Sequence, residues 1–247
     1  MLNRIFLLSF FLVSSLFAEI HCDQVIHKKV IDICYNYKAK GANYVTYDIF
    51  GELVNKVNLK KRPRFYTEKT LPSKYRTKYS DYTYSTSSKD KSVRFDRGHL
   101  APDADFDYDK KILRKIYTMA NIIPQVSVVN QKTWTKVEAY ERLLAKKFGS
   151  LHVVTGVDYN DPDNYLVKRD IKTINTSKWK PSKFRSFKKQ AKRLEKMKIL
   201  IPTGYWKRYS NKENNFERCF YYKNEFVNPN KDKLRMHEID CSKLPKP

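Results

Sequence analysis

Short runs of alternating apolar and polar residues, or of β-branched residues, recur along this chain and predict β-strands. Residues 45–57 have the pattern of a strand, a turn at Gly51 and a second strand. Residues 151–157, LHVVTGV, are β-branched and predict a buried strand. Further strands are expected at residues 92–99, 117–125, 201–209 and 219–226.

One segment has the spacing of a long amphipathic helix. Within residues 131–148, apolar side chains recur every three or four positions, at Val137, Tyr140, Leu144 and Phe148. Gly149 follows as a stop signal. Strands combined with helix predict an α+β fold. The sequence has no internal repeat and no long low-complexity linker, so we expect a single domain over residues 19–247.

Residues 178–198 form a basic stretch with ten Lys or Arg and one acid. Phe184, Phe187, Ala191 and Leu194 give it an apolar stripe at helical spacing. Two interpretations stay open for this amphipathic segment. Its basic face is either a solvated surface or a contact for nucleic acid.

The first eighteen residues have the layout of a secretory signal. A short positive start is followed by an apolar run and by small residues that end at Ala18. We therefore expect residues 1–18 to be a signal peptide of a periplasmic or secreted bacterial protein. No later apolar run approaches the ~20 residues of a membrane span, so no stable membrane insertion is expected after cleavage.

The composition adds charge to this picture. The 247 residues carry 50 Lys and Arg against 26 Asp and Glu, a net charge of +24, with a pI near 9.8. Such a pI is typical of nucleic-acid binders, although lysines on solvated faces would give the same count. Aromatic residues make up 14% and hydrophobic residues 41%, which excludes a disordered basic tail.

Four cysteines predict two disulfides in an exported chain. Three pairings exist, and we favour Cys22–Cys34 with Cys219–Cys241, because each closes a short loop. No C-x-x-C pair occurs, and no cysteine lies at metal-finger spacing from a histidine, so a structural zinc site is not expected.

The candidate chemistry lies in the sequence RFDRGHLAPDADF, residues 94–106, which contains Asp96, Arg97, Gly98 and His99. Asn130, Glu138 and Arg142 follow, and steps of four and eight place them on one helical face. Phosphodiester hydrolysis needs a base near neutral pH, a divalent cation on oxygen ligands, and arginines that match phosphate. Histidine, asparagine and arginine supply these parts.

The motif DRGHLAP, followed by NIIPQ, VNQKTW and a helical Glu and Arg, strongly resembles the DNA/RNA non-specific endonuclease family. The resemblance is clearest from about residue 64 to residue 142. It implies the ββα-metal (His-Me finger) nuclease fold, with a central antiparallel sheet flanked by helices. It also implies Mg²⁺ as cofactor, with Mn²⁺ as an alternative, DNA and RNA as substrates, and 5′-phosphate products. A homodimer stays open.

The resemblance also assigns roles to individual residues. His99 matches the general base and Asn130 the residue that holds Mg²⁺. Glu138 matches a glutamate that hydrogen-bonds the water around the metal, Arg142 an arginine near the cleaved phosphate, and Asn121 a supporting asparagine. Arg97 belongs to the motif and is a phosphate contact. Arg64 is the better candidate for a further, upstream catalytic arginine, with Arg62 as the alternative. The secreted members' disulfide near each end supports the cysteine pairing given above.

Three features near His99 have structural interpretations. Asp96 is expected to fix the backbone of the motif. Gly98 is expected to allow a tight backbone that aims the imidazole, since glycine tolerates positive φ. The acids at 103, 105, 107 and 109 lack the pattern of a calcium loop. They form either a solvated loop or a group that tunes the field around the metal.

Two rival functions fit part of the sequence. A non-catalytic DNA-binding envelope protein explains the charge, the leader and the cysteines. A cationic protein that binds acidic lipid headgroups or polysaccharide explains the charge alone. Neither explains why Asn130, Glu138 and Arg142 keep helical register behind the motif. The sequence leaves open the preference for DNA or RNA, for single or double strands, and the biological role, including that of a toxin.

Overall fold

The computed structural model describes residues 20–83, 94–159 and 181–245. The predicted signal segment, residues 1–18, and Phe184 of the predicted stripe fall outside the described residues and side chains. In the described part of the chain, no helix has the length and apolar character needed to cross a membrane.

Seven strands form an antiparallel sheet in the order β1-β2-β3-β6-β7-β8-β9. They are β1 (Gln24–Lys28), β2 (Ile31–Asn36), β3 (Gly41–Phe50), β6 (Ser150–Asp158), β7 (Gly204–Asn211), β8 (Phe216–Lys223) and β9 (Glu238–Ile239). A separate antiparallel pair consists of β4 (Phe95–His99) and β5 (Ile122–Val126). This mixed architecture confirms the predicted α+β class.

Among the described residues, three α-helices accompany the sheets: α1 (Lys110–Ile116), α2 (Trp134–Phe148) and α3 (Pro181–Lys196). One π-helical turn, Val129–Thr133, leads directly into α2 and carries Asn130. Helix α2 ends at Gly149, whose φ of 82° only glycine adopts without strain. The helix predicted at residues 131–148 is therefore confirmed, with its first three residues in the π-helical turn.

Most predicted strands are confirmed, with shifted ends. The exception is the second half of residues 45–57: after β3 the chain forms turns and bends instead of a second strand. The edge strand β1, its neighbour β2, the short edge strand β9 and helix α1 were not predicted. In β1 only Ile26 is buried, so its sequence carries only a weak strand pattern.

Trp134 lies at the centre of the core, as expected for an aromatic residue at the start of α2. Its ring packs edge-on against Tyr205 of β7 and Tyr222 of β8, at centroid distances of 5.0 and 5.2 Å. Tyr209 of β7 donates a hydrogen bond to the carbonyl of Val137 at 2.9 Å. These contacts fix α2 on the sheet and hence the side chains that the helix presents to the site.

Both predicted disulfides are present. Cys22 pairs with Cys34 of β2, and Cys219 of β8 pairs with Cys241, with Cα–Cα distances of 5.0 and 5.2 Å. No cysteine of the chain is left free. The two bonds fasten the N-terminal strand region and the C-terminal segment to the central sheet.

Candidate active site

The DRGH motif is the strand β4, and its pairing with β5 fixes how the motif presents its side chains. His99 lies opposite Ile122 and Gly98 opposite Ile123. Alternation along a strand places Arg97 and His99 on one face. A Cβ on Gly98 would lie 2.1 Å from the Gln125 side-chain oxygen. Gly98 does not have a positive φ, so that expectation is wrong: glycine is needed here for close approach.

The imidazole of His99 lies in an aromatic pocket. Its ring centroid is 5.3 Å from that of Phe65 and 4.9 Å from that of Tyr117. Its Nε2 is shielded from solvent and has no hydrogen-bond partner among the described residues. Burial lowers the pKa of His99 from 6.5 to about 4, because a charged imidazolium is poorly solvated there. His99 is thus neutral at physiological pH and can accept a proton.

Asp103, four residues after His99, is the carboxylate that acts on it. The Tyr117 hydroxyl donates to Asp103 Oδ2 at 2.7 Å, and Arg62 Nε approaches the same oxygen at 3.1 Å. Arg62 also contacts Asp107 Oδ2 at 3.1 Å. The charge of Asp103 raises the pKa of His99 and that of Arg62 lowers it, and both effects are smaller than burial.

The acidic loop is solvated only at its ends, so the solvated-loop alternative is wrong for Asp105 and Asp107. Asp105 and Asp107 are buried, at 3% and 4% exposure. Asp109 caps α1, accepting hydrogen bonds from the backbone of Lys111 and Ile112 at 2.8 Å. The loop is held by its own carboxylates, which turn inward to cations and backbone amides.

Asp96 connects the DRGH strand to the turn that carries Asn130. Asn130 Nδ2 donates to Asp96 Oδ2 at 3.1 Å, and Gln131 Nε2 donates to the same oxygen at 2.6 Å. Arg94 Nε approaches the other oxygen, Oδ1, at 2.7 Å. Because its Nδ2 is engaged, Asn130 has its amide oxygen as the group that can serve as a ligand. Asp96 thus has the structural contacts expected of it.

Helix α2 presents Glu138 and Arg142 from the same face. Burial raises the pKa of Glu138 to about 7, against the opposing effect of Lys207; Asp105 raises it further and Arg142 lowers it. Arg142 Nη1 contacts Asp105 Oδ1 at 3.0 Å. Asp103 raises the pKa of both Glu138 and His99.

A buried ion pair that the sequence analysis did not predict lies behind this face. Lys207 Nζ of β7 lies 2.8 and 2.5 Å from the two carboxylate oxygens of Glu141 and donates to the Tyr47 hydroxyl at 2.7 Å. Both charged side chains are fully buried. Burial and the charge of Glu141 raise the pKa of Asp105 well above its usual range. The pair sets the field beneath Glu138 and Arg142.

Asn121 is buried and already occupied. Its Nδ2 donates to the carbonyls of Ala101 and Ile116, and its Oδ1 accepts from the Ala101 amide, all at 3.0 Å. The backbone amide of Leu100 also donates to the Asn121 carbonyl at 3.0 Å. Asn121 thus holds the chain immediately after His99 in place. Its contacts are those of a positioning residue.

The three other arginines differ in their surroundings. Arg97 stacks on Tyr79, with its guanidinium 4.0 Å from the ring centroid, and lies 5.8 Å from that of Phe65. Arg64 is exposed, and its side chain makes no hydrogen bond or ion pair with the residues that the structure describes. Arg62 is the arginine paired with Asp103 beside His99. The choice between Arg62 and Arg64 as the upstream catalytic arginine stays a prediction.

The donors on α2 and its leading turn fit a divalent cation held mainly by water and phosphate. Mg²⁺ prefers oxygen ligands and keeps several of its waters, so one protein oxygen can suffice. Asn130 supplies a neutral amide oxygen, fixed by Asp96. The carboxyl of Glu138 lies about two helical turns further along.

A protein-family model described as DNA/RNA non-specific endonuclease matches residues 14–244. The chain belongs to this family. Among solved structures, it is similar to a chain from the crystal structure of the EndoG/EndoGI complex, with a TM-score of 0.64 and 16% identity. That similarity covers 88% of this chain and 80% of the other. At this identity it shows the fold alone, which is the predicted ββα-metal fold, with β4, β5 and α2 in ββα order.

Several relatives are similar to this chain over part of their length. The mitochondrial nuclease of Saccharomyces cerevisiae is 31% identical over 139 residues, which cover 56% of this chain and 38% of the relative. Human mitochondrial endonuclease G is 27% identical over 124 residues, 50% of this chain and 39% of the relative. A nuclease of Nostoc sp. is 29% identical over 150 residues, 60% and 50% respectively. The matched segments thus span half or less of these relatives.

Proposed function

We propose that this protein is a Mg²⁺-dependent endonuclease that hydrolyses phosphodiester bonds of DNA and RNA with little base preference. The observation that carries the proposal is His99, held neutral with a pKa of about 4, at the end of the strand whose Asp96 fixes Asn130. Residues 19–247 act as one catalytic domain in this proposal. Family membership supports it, and the high positive charge fits a polyanionic substrate.

His99 accepts the proton of the water that attacks phosphorus. Its low pKa keeps the imidazole free to do so at neutral pH. Phe65 and Tyr117 contact the ring and also each other, at a centroid distance of 4.8 Å, and this cluster fixes the orientation of the imidazole. In-line attack expels the 3′-oxygen and leaves a 5′-phosphate.

Arg142 and Arg97 bind phosphate oxygens of the substrate, and Asn130 would hold the metal through its amide oxygen. A bound divalent cation neutralises charge that builds up on the phosphoryl and leaving oxygens. Glu138 orients water beside Asn130. Mn²⁺ fits the same oxygen donor, since it shares the preference for carbonyl and water ligands.

We also propose that the protein is exported by a bacterium after removal of residues 1–18 and acts in the periplasm or the medium. Two disulfides fit an oxidising compartment. The mass of the mature protein tests this: a product that starts near residue 19 supports export. A chain that keeps its first residues inside the cell would overturn it.

The decisive experiment compares wild type with His99→Ala on supercoiled plasmid and on RNA, with Mg²⁺ or with EDTA. We expect the wild type to degrade both substrates only with metal. The variant should bind the substrate and not cut it. His27→Ala, at an exposed histidine of β1, is the matched control and should keep full activity. Equal gel shifts without cleavage in all three proteins would mean a binding module and would overturn the mechanism.

A further inference from the structure

Helix α3 carries a continuous basic surface that the proposed chemistry does not use. Its members are Lys188, Lys189, Lys192, Arg193 and Lys196, all exposed, and we call them the basic face. At 100° per residue they lie within one arc of about 140°. None forms an ion pair with any residue that the structure describes, and the sole acid among residues 187–196 is Glu195.

The opposite face of α3 fastens the helix to the DRGH strand. The Phe187 ring packs on Phe95, the first residue of β4, at a centroid distance of 4.8 Å. The buried side chain of Gln190 accepts from the Phe95 amide at 2.7 Å and donates to the Phe95 carbonyl at 2.7 Å. Its Nε2 also donates to the Tyr82 carbonyl at 3.0 Å. The side-chain amide of Gln190 thus occupies both backbone hydrogen-bonding groups of Phe95, as the backbone of a neighbouring strand would.

A short path connects the basic face with the site. Tyr82 ends the 3-10 turn Tyr79–Tyr82, and Tyr79 at its start stacks on Arg97. Arg97 shares its face of β4 with His99. The turn therefore connects Arg97, on the face of His99, with Gln190 of α3.

The charge arrangement itself favours a polyanionic partner. Lys188, Lys192 and Lys196 are four residues apart, as are Lys189 and Arg193, and like charges at this spacing repel each other. An acid in alternate positions would relieve the repulsion on a merely solvated face. A row of phosphates relieves it by binding.

We propose that the basic face of α3 is a second contact for the nucleic-acid backbone, separate from the site that cleaves it. The inference rests on the proposed function. Phe95 lies four residues from His99, ~13 Å along an extended strand. The basic face lies on the far side of α3, a helix diameter of ~10 Å from Phe95. One nucleotide advances a strand of duplex by ~3.4 Å, so the contacted phosphates are roughly five to seven nucleotides from the cleaved bond.

The test replaces Lys188, Lys189, Lys192 and Arg193 together by Gln. The control removes the same charge at four exposed lysines elsewhere, with Lys29→Gln, Lys56→Gln, Lys212→Gln and Lys243→Gln. Binding of 20-nucleotide duplex DNA is measured without cleavage, in EDTA, over a range of salt concentrations. Hydrolysis of bis(p-nitrophenyl) phosphate, which is too small to reach α3, is measured with Mg²⁺.

We expect the α3 variant to bind the duplex at least tenfold more weakly and to lose about 2–4 from the slope of log affinity against log salt. Its rate on the small phosphodiester should equal that of wild type, which also shows that it folds. Equal binding losses in the α3 and control variants would overturn the inference, as would an equal loss on the small substrate. Failure of the proposed function would give a different result, because wild type would then hydrolyse neither the small phosphodiester nor plasmid DNA or RNA. The binding comparison would still decide the role of α3.

Discussion

Arg142 of α2 is held by Asp105 of the loop that follows His99, with Nη1 3.0 Å from Oδ1. The Asp105 side chain is fully buried and that of Arg142 is 20% exposed, so the arginine reaches solvent while a buried carboxyl holds it in place. The pair joins the two segments that carry the proposed base and the proposed phosphate ligand. Its geometry decides where the guanidinium points.

Replacing Asp105 by Ala should release Arg142 and lower kcat on DNA by about 10- to 100-fold, because small misplacements of a catalytic group are costly. The double variant Asp105→Ala/Arg142→Ala should then be no slower than Arg142→Ala, since both changes remove the same function. Steady-state kinetics of the three variants check this. Asp109→Ala, in the same loop, removes the cap of α1 and should leave kcat unchanged. Additive losses in the double variant would show that Asp105 does not act through Arg142.

The Lys207–Glu141 pair should contribute to folding through the cost of separating its members. Lys207→Met leaves Glu141 buried without its partner, and we expect the free energy of unfolding to fall by about 3–5 kcal/mol. The double variant Lys207→Met/Glu141→Gln should recover part of this loss. Urea denaturation at pH 7 measures both. If the double variant were less stable than the single one, the pair would not be the source of the effect.

Prediction from the sequence succeeded where the signal was local. The DRGH strand and helix α2 follow from short stretches of sequence, and the two disulfides join cysteines only 12 and 22 positions apart. Lys207 and Glu141 lie 66 positions apart, and nothing in either segment indicates a partner. The same holds for Gln190 and Phe95, 95 positions apart. Long-range polar pairs of this kind need the tertiary structure to bring them together.

The acidic loop shows a second limit of sequence reasoning. Alternating acids after His99 have the composition of a solvated turn, yet Asp105 and Asp107 are buried because Arg142 and Arg62 neutralise them. Gly98 was explained by the wrong property, since its close contact with Gln125 is invisible in the sequence. Charge pairing and side-chain proximity therefore decide the details of the site.

Two asparagines of the site should respond differently to the same change. Asn121→Ala leaves three buried backbone groups without partners, and each unsatisfied group costs about 1–3 kcal/mol, so stability and activity should both fall. Asn130→Ala removes the proposed metal ligand and one hydrogen bond to Asp96. It should abolish Mg²⁺-dependent cleavage and change the melting temperature little. Thermal unfolding and plasmid cleavage measured side by side separate the roles. A stable Asn121→Ala with lost activity would instead assign that residue to the chemistry.

The pKa of His99 should lie far below that of an ordinary histidine, and this difference decides how the stability of the protein depends on pH. Its folded pKa of about 4 lies below the value of about 6.5 in the unfolded chain, so only the unfolded chain binds the proton between these values. The contribution of His99 to the free energy of unfolding, a few kcal/mol, is fully present above pH 6.5 and is lost as the pH falls through 6.5 towards 4. Wild type should therefore lose more stability over this range than His99→Gln, which cannot titrate.

Urea denaturation at pH 7, 6, 5 and 4.5 gives the difference between the two proteins, and the other four histidines cancel because both share them. The imidazole resonances of His99, assigned by their absence from the variant, should not shift until the pH is below 5. In a Glu138→Gln background, which removes the site carboxyl whose pKa is raised to about 7, kcat/KM should keep its value down to about pH 5, because the free enzyme's base stays unprotonated. A midpoint near 6.5 in either measurement would mean that His99 is solvated and that burial does not keep it ready as the base.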